Sequence, residues 1–207
     1  IDAGASSGFA MSFHSGDADR VLYADGVTDL QLTNVTANTE ASDTTAIDVR
    51  NDGTLTLTNL NLNNYSSGFE LRGTGATSLI GISSSTTDSA VIASGSGSLA
   101  VSTSSLHSEG DIGRFSQIST TFTSTELSGG MDTETGLSWT GGNHILSDVN
   151  ISRTYIASDT KSVGLDVWWS DLSISNVDLS GWHISTICDR CTVEANGLQM
   201  YNGGTSN

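Results

Sequence analysis

The sequence predicts an all-β fold, a β-solenoid of about eight rungs, and three observations predict it. An octapeptide recurs without gaps at Leu30–Ala37 (LQLTNVTA), Leu55–Leu62 (LTLTNLNL), His144–Ile151 (HILSDVNI) and Leu172–Leu179 (LSISNVDL), with a looser copy at Leu99–Leu106. A second element reads Ile47–Arg50 (IDVR), Phe69–Arg72 (FELR), Leu165–Trp168 (LDVW) and, imperfectly, Ile187–Arg190 (ICDR), so that rungs start about every 21 to 28 residues, a period typical of repeat architectures. Apolar and polar residues also alternate with period two, and no helical period is sustained, which marks strands with one buried face.

Taken in order, residues 1–19, with Phe9, Met11 and Phe13 alternating, are expected to form an irregular first rung or cap. Residues 20–207 are expected to be one run of rungs. Links such as 51–53 (NDG), 73–75 (GTG) and 95–97 (GSG) are short enough only for tight turns. Within the octapeptide, Asn34, Asn59, Asp148 and Asn176 interrupt the alternation without changing its phase. They read either as a ladder of buried, mutually bonded side chains or as simple turn formers. The Gly203–Asn207 end is expected to fray, and neither end shows an amphipathic capping helix, so the chain reads as a segment of a longer stack. An antiparallel sandwich would explain strand length and turn spacing, but not the return of one octapeptide at coil intervals.

Composition narrows function by exclusion. Across 207 residues, 7 Lys+Arg face 23 Asp+Glu for a net charge of −16, and Lys161 is the only lysine. Phosphate binding runs on neutralisation by Lys and Arg, so a nucleic-acid partner is disfavoured, as is adhesion to an anionic bilayer. No apolar run approaches the roughly 20 residues of a membrane span. Ser and Thr together make up about 29% of the chain, so hydroxyls carry much of its polarity. The sequence thus points to an extracellular or cell-surface location.

The rungs resemble the right-handed parallel β-helix of pectin-lyase-like and related surface proteins. That resemblance implies a β-helix of stacked coils and raises polysaccharide cleavage as an activity. The Asn-Thr-Asp, Asp-Asp, Gly-His-Gly and Arg-Ile-Lys motifs of polygalacturonase-like hydrolases are absent. For the lyases of that fold, the resemblance implies a calcium-holding carboxylate cluster and a basic residue, a role for which Asp166, Asp171 and Arg190 are the candidates. No cofactor is required by the sequence, and acidic turns are expected to bind Ca²⁺ at most loosely.

Other residues suggest binding. Trp168, Trp169, Trp182 and His183 fall within two rungs, and Trp168 takes the outward phase in the column of Arg50 and Arg72. Exposed rings stack on sugars and mark interaction surfaces, although a cap covering them is the alternative. Asp48, Arg50, Glu70 and Arg72 are expected to point outward on successive rungs, as a carboxylated-sugar site or as an ion-pair ladder. Cys188 and Cys191 read as a disulfide, with free thiols or a metal site as alternatives, and a bridge requires a bend at Asp189-Arg190. Asn34, Asn64 and Asn150 head glycosylation sequons, of which Asn34 would be buried by a ladder. Thr54, Thr56 and Thr58 form an outward row that would suit ice if it recurred, but the sequence shows no such recurrence. The expected function is a non-catalytic structural or adhesive module, of surface-layer or adhesin type, contacting glycans or neighbouring surface domains. A polysaccharide lyase or glycoside hydrolase is the alternative.

Overall fold

The computed structural model describes residues 11–14, 20–39, 44–154 and 161–201. It is a parallel β-solenoid of about eight turns. Every strand pairing among the described residues is parallel, and each strand pairs with the equivalent strand of the next turn. A turn has three straight segments, which we name faces A, B and C. In the fourth turn they are residues 89–94, 98–102 and 105–108. Longer strands such as Thr45–Thr58 and Val163–Ser180 bend from one face to the next without leaving the ladder. Of the first 19 residues only Met11–His14 is described, a strand paired with Val35–Asn38. The expected cap otherwise lies outside the described residues, as does the Gly203–Asn207 tail.

Period-two alternation builds the core because inward residues stack in columns. On face A one column runs Ile47, Phe69, Val91, Gly113, Leu137, Leu165, and the next runs Val49, Leu71, Ala93, Phe115, Trp139, Val167. Size is matched between neighbours: Ala93 lies over Phe115, and a side chain at Gly113 would meet the Phe115 ring at 2.7 Å. The fifth and sixth turns therefore hold an aromatic stack. Phe115 and Trp139 centroids lie 5.9 Å apart, Phe115 meets Phe122 edge-on at 5.7 Å, and Trp139 stacks on His144 at 5.0 Å.

The corners explain the octapeptide and correct the buried-ladder expectation. Asn34, Asn59, Gly81, Thr103, Ser124, Asp148, Asn176 and Gly197 form one corner column between faces B and C, and all have positive φ. A single left-handed residue swings the strand onto the next face while keeping the inward phase. Asn and Asp are the side chains best tolerated there after Gly. Their side chains point outward and are exposed. Only two links form, Asn59 Nδ2 to Asn34 Oδ1 (3.1 Å) and Asn176 Nδ2 to Asp148 Oδ1 (3.0 Å), so there is no continuous ladder. Asn34 is consequently exposed, as are Asn64 and Asn150. The buried amide is instead Asn51, which donates to the Ala76 carbonyl at 2.9 Å and accepts from the Gly53 N–H at 3.0 Å.

Register also shifts one of the repeats. Leu165 pairs with Thr186 and Val167 with Cys188, so the imperfect copy at Ile187–Arg190 is shifted by one residue. The row Thr54, Thr56 and Thr58 does not recur intact, as expected, although single hydroxyls return beneath it. Beneath them lie Ala76, Ser78 and Ile80, then Ser98, Ala100 and Ser102, then Ser119, Thr121 and Thr123.

Candidate functional site

Charge on the outer surface is unevenly distributed. Face A carries the outward residues Asp48, Arg50, Glu70, Arg72 and Arg114, whereas face B is almost uncharged until the seventh turn. Asp48 is not exposed as expected. It is buried beneath Arg72, which donates a short hydrogen bond to it, and Arg20, whose guanidinium lies 3.6 Å away. Arg50 lies 3.8 Å from Asp25 and 3.6 Å from Asp52. Three guanidiniums thus already meet three carboxylates. The 250 Å³ depression lined by Tyr23, Asp25, Arg50 and Arg72 is an internally balanced ion-pair network rather than an open anion site.

The four residues of the expected aromatic surface are divided by the fold. Trp182 is in the core, 1% exposed, with Nε1 donating to the Ile151 carbonyl at 3.1 Å. Its indole lies against Gly136 and Gly164, where a Cβ would come within 3.1 and 3.2 Å of the ring. Trp182 therefore belongs to no binding surface: the glycines vacate a slot that only a large ring fills. His183 is exposed, but it precedes strand Ile184–Asp189, while Trp168 pairs with Asp189 at that strand's far end. His183 thus lies beyond the opposite end of a strand roughly 17 Å long.

Trp168 and Trp169 remain together. As expected, Trp168 stands in the Arg50–Arg72 column, continued through Ser94, Ser116 and Thr140. It is half-buried, and its Nε1 donates to Asp166 at 2.6 Å. Trp169 is the corner residue between faces A and B, 53% exposed, with φ of 49°. At this corner other turns have Gly26, Gly73, Gly95, Gln117, Gly141 and Arg190. An indole therefore projects at a corner where four other turns place glycine. Its ring centroid lies 6.0 Å from that of Trp168, and the Arg190 guanidinium sits 5.9 Å from its centre.

Arg190 is itself held by the disulfide joining Cys188 and Cys191, whose Cα atoms are 5.7 Å apart. The required bend is there, since Arg190 occupies the left-handed corner with φ of 53°. Asp166 and Asp171 lie on opposite sides of the corner, on faces A and B. Among the described residues no three His, Cys, Asp or Glu side chains group to hold a metal ion.

Face B, from Asp171 two residues past Trp169, is hollowed into a depression of about 340 Å³ that sequence reasoning did not find. Its outer lining is two register columns, Asn143–Asp171–Thr192 and Ile145–Ser173–Glu194. These residues are scattered over three turns and come together only through register.

His144, 1% exposed, lies behind that depression on the inward side of its strand. Trp139 Nε1 donates to Thr120 Oγ1 at 3.0 Å, and the same oxygen is 3.0 Å from His144 Nδ1. Burial pushes the imidazole down from 6.5 to about 4, with the Gly141 backbone opposing the shift. A base whose pKa falls on folding binds its proton more readily when unfolded. Stability is therefore full above pH 6.5 and is lost as pH falls from there to about 4. We expect urea unfolding of the wild type to lose about 3 kcal/mol over that window through this residue. His144→Leu, which matches Leu55, Leu99 and Leu172 in the same inward phase, should lose correspondingly less. Identical pH dependence of the two proteins would show that the imidazole is not held neutral.

Comparison with known proteins finds no family model, curated protein or solved structure that matches this chain.

Proposed function

We propose that the chain is a non-catalytic structural or adhesive module of an extracellular surface protein, and that it contacts glycans at the Trp168–Trp169 corner. The observation that carries this reading is Trp169, an indole 53% exposed in a left-handed conformation. Holding a non-glycine residue in that region costs roughly 1–2 kcal/mol, and of the ten described non-glycine residues held there Trp169 has the largest side chain, with its indole turned to solvent. Exposed indoles stack on the C–H faces of sugars, and the adjoining depression supplies hydrogen-bonding groups. The rest of the solenoid acts as a rigid spacer whose turns fix the spacing of whatever it displays.

Trp169→Gly separates binding from folding. It is expected to raise stability by roughly 0.5–1 kcal/mol, because glycine relieves the left-handed strain. It should also weaken retention on immobilised polysaccharide at least fivefold, and iodide should quench less fluorescence than in the wild type. Unchanged retention by both Trp169→Gly and Trp168→Ala would overturn the reading.

A further inference from the structure

We infer that the depression on face B is a sugar subsite that selects uncharged, hydroxyl-rich units and rejects acidic ones. This inference rests on the glycan-contact reading above and assigns the class of ligand. Asp171, which lines the depression, follows Trp169 by two residues, so their Cα atoms lie within about 7 Å of each other. Turns are stacked about 4.8 Å apart, and outward neighbours on a strand are about 6.6 Å apart. The two lining columns therefore frame an area of roughly 10 by 7 Å, suited to one or two sugar rings. The volume of about 340 Å³ falls at the small end of ligand sites.

The chemistry of the lining sets the selectivity. Ile145, 48% exposed, offers an apolar patch for a ring face. Asp171 stands at the middle of one column and Glu194 at the end of the other, and when ionised both only accept hydrogen bonds. Sugar hydroxyls donate, so a neutral ring satisfies both carboxylates, with Asn143 and Ser173 able to donate or accept between them. No Lys or Arg lines the depression. The nearby guanidinium of Arg190 lies over Trp169, on the corner itself. A uronate or sulfate group seated between the two columns would meet two carboxylates, with no cation in the lining to offset them. It would also lose its hydration, and such juxtapositions are strongly unfavourable. Face A, where Arg50 and Arg72 are already paired with Asp25, Asp52 and Asp48, offers an acidic sugar no better alternative.

Calorimetric titration with neutral gluco- or manno-oligosaccharides and with oligogalacturonate or oligoalginate tests this. The wild type should bind the neutral series at least tenfold more tightly, with little dependence on salt. Asp171→Asn/Glu194→Gln keeps carbonyl acceptors but removes both charges, so it should narrow that preference several-fold without loss of the circular dichroism signal. Acidic oligosaccharides binding as tightly as neutral ones would overturn the inference. So would a double variant with unaltered preference, and in either case Trp169-dependent binding would leave the glycan reading standing. Failure of the wild type to bind either series would overturn both.

Discussion

Deleting residues 89–110 should leave a folded, cooperatively melting protein, whereas deleting residues 89–97 should abolish folding. Ser67 pairs with Ser89, and Ser89 with Asp111. The longer deletion removes one complete turn and brings Ser67 opposite Asp111 with every later strand on its own face. Stability in a stacked repeat is approximately a sum over turns and their interfaces, so loss of one is graded rather than fatal. The new junction is not ideal. Leu71 would lie over Phe115, where Ala93 does now, and such overpacking typically costs 1–3 kcal/mol. A fall in Tm of roughly 5–10 °C is expected. The shorter deletion removes only the face A segment, so every later strand arrives one face out of step and its inward residues lose their column. No cooperative transition should survive. Equal tolerance of the two deletions, by thermal melting and circular dichroism, would contradict the stacking described here.

Trp182→Ala should lose 3–5 kcal/mol, the range for truncating a large buried aromatic. The ring is almost fully covered, and the slot beside Gly136 and Gly164 cannot refill because those positions have no side chains. The substitution also removes the Nε1 donor from the Ile151 carbonyl. Chemical denaturation should place this variant far below Trp168→Ala, for which about 1 kcal/mol or less is expected because the ring is only half-buried. Losses of similar size for the two would show that Trp182 is not the core residue described here. Their difference marks which tryptophans hold the fold and which are free to bind.

Much of the fold could be read from local pattern. Alternation identifies strands because a strand has a period of two whatever it pairs with, and the recurring octapeptide identifies stacking because equivalent residues of successive turns meet equivalent neighbours. The column Arg50, Arg72, Trp168 could likewise be anticipated, since it follows from phase and period alone. Asn34, Asn59, Asp148 and Asn176 could be recognised as a set, but not as an outward corner. The sign of φ, and hence the direction of the side chain, is decided by how the chain must bend to close a turn around its core.

What only the tertiary structure decided depends on register and on packing between turns. Trp168, Trp169, Trp182 and His183 are neighbours in sequence, yet one is core and another lies at the opposite end of a strand. Burial of Trp182 depends on two glycines, Gly136 and Gly164, contributed by earlier turns. Asn143, Asp171 and Glu194 share one depression because turns of unequal length are brought into alignment by hydrogen bonds between strands. By itself, then, the sequence determined that the chain would alternate, repeat and stack, since those properties are set within a strand and its period. Which side chains meet across turns was decided by the stacked backbone, because parallel pairing fixes neighbours at 4.8 Å spacing irrespective of the number of residues between them.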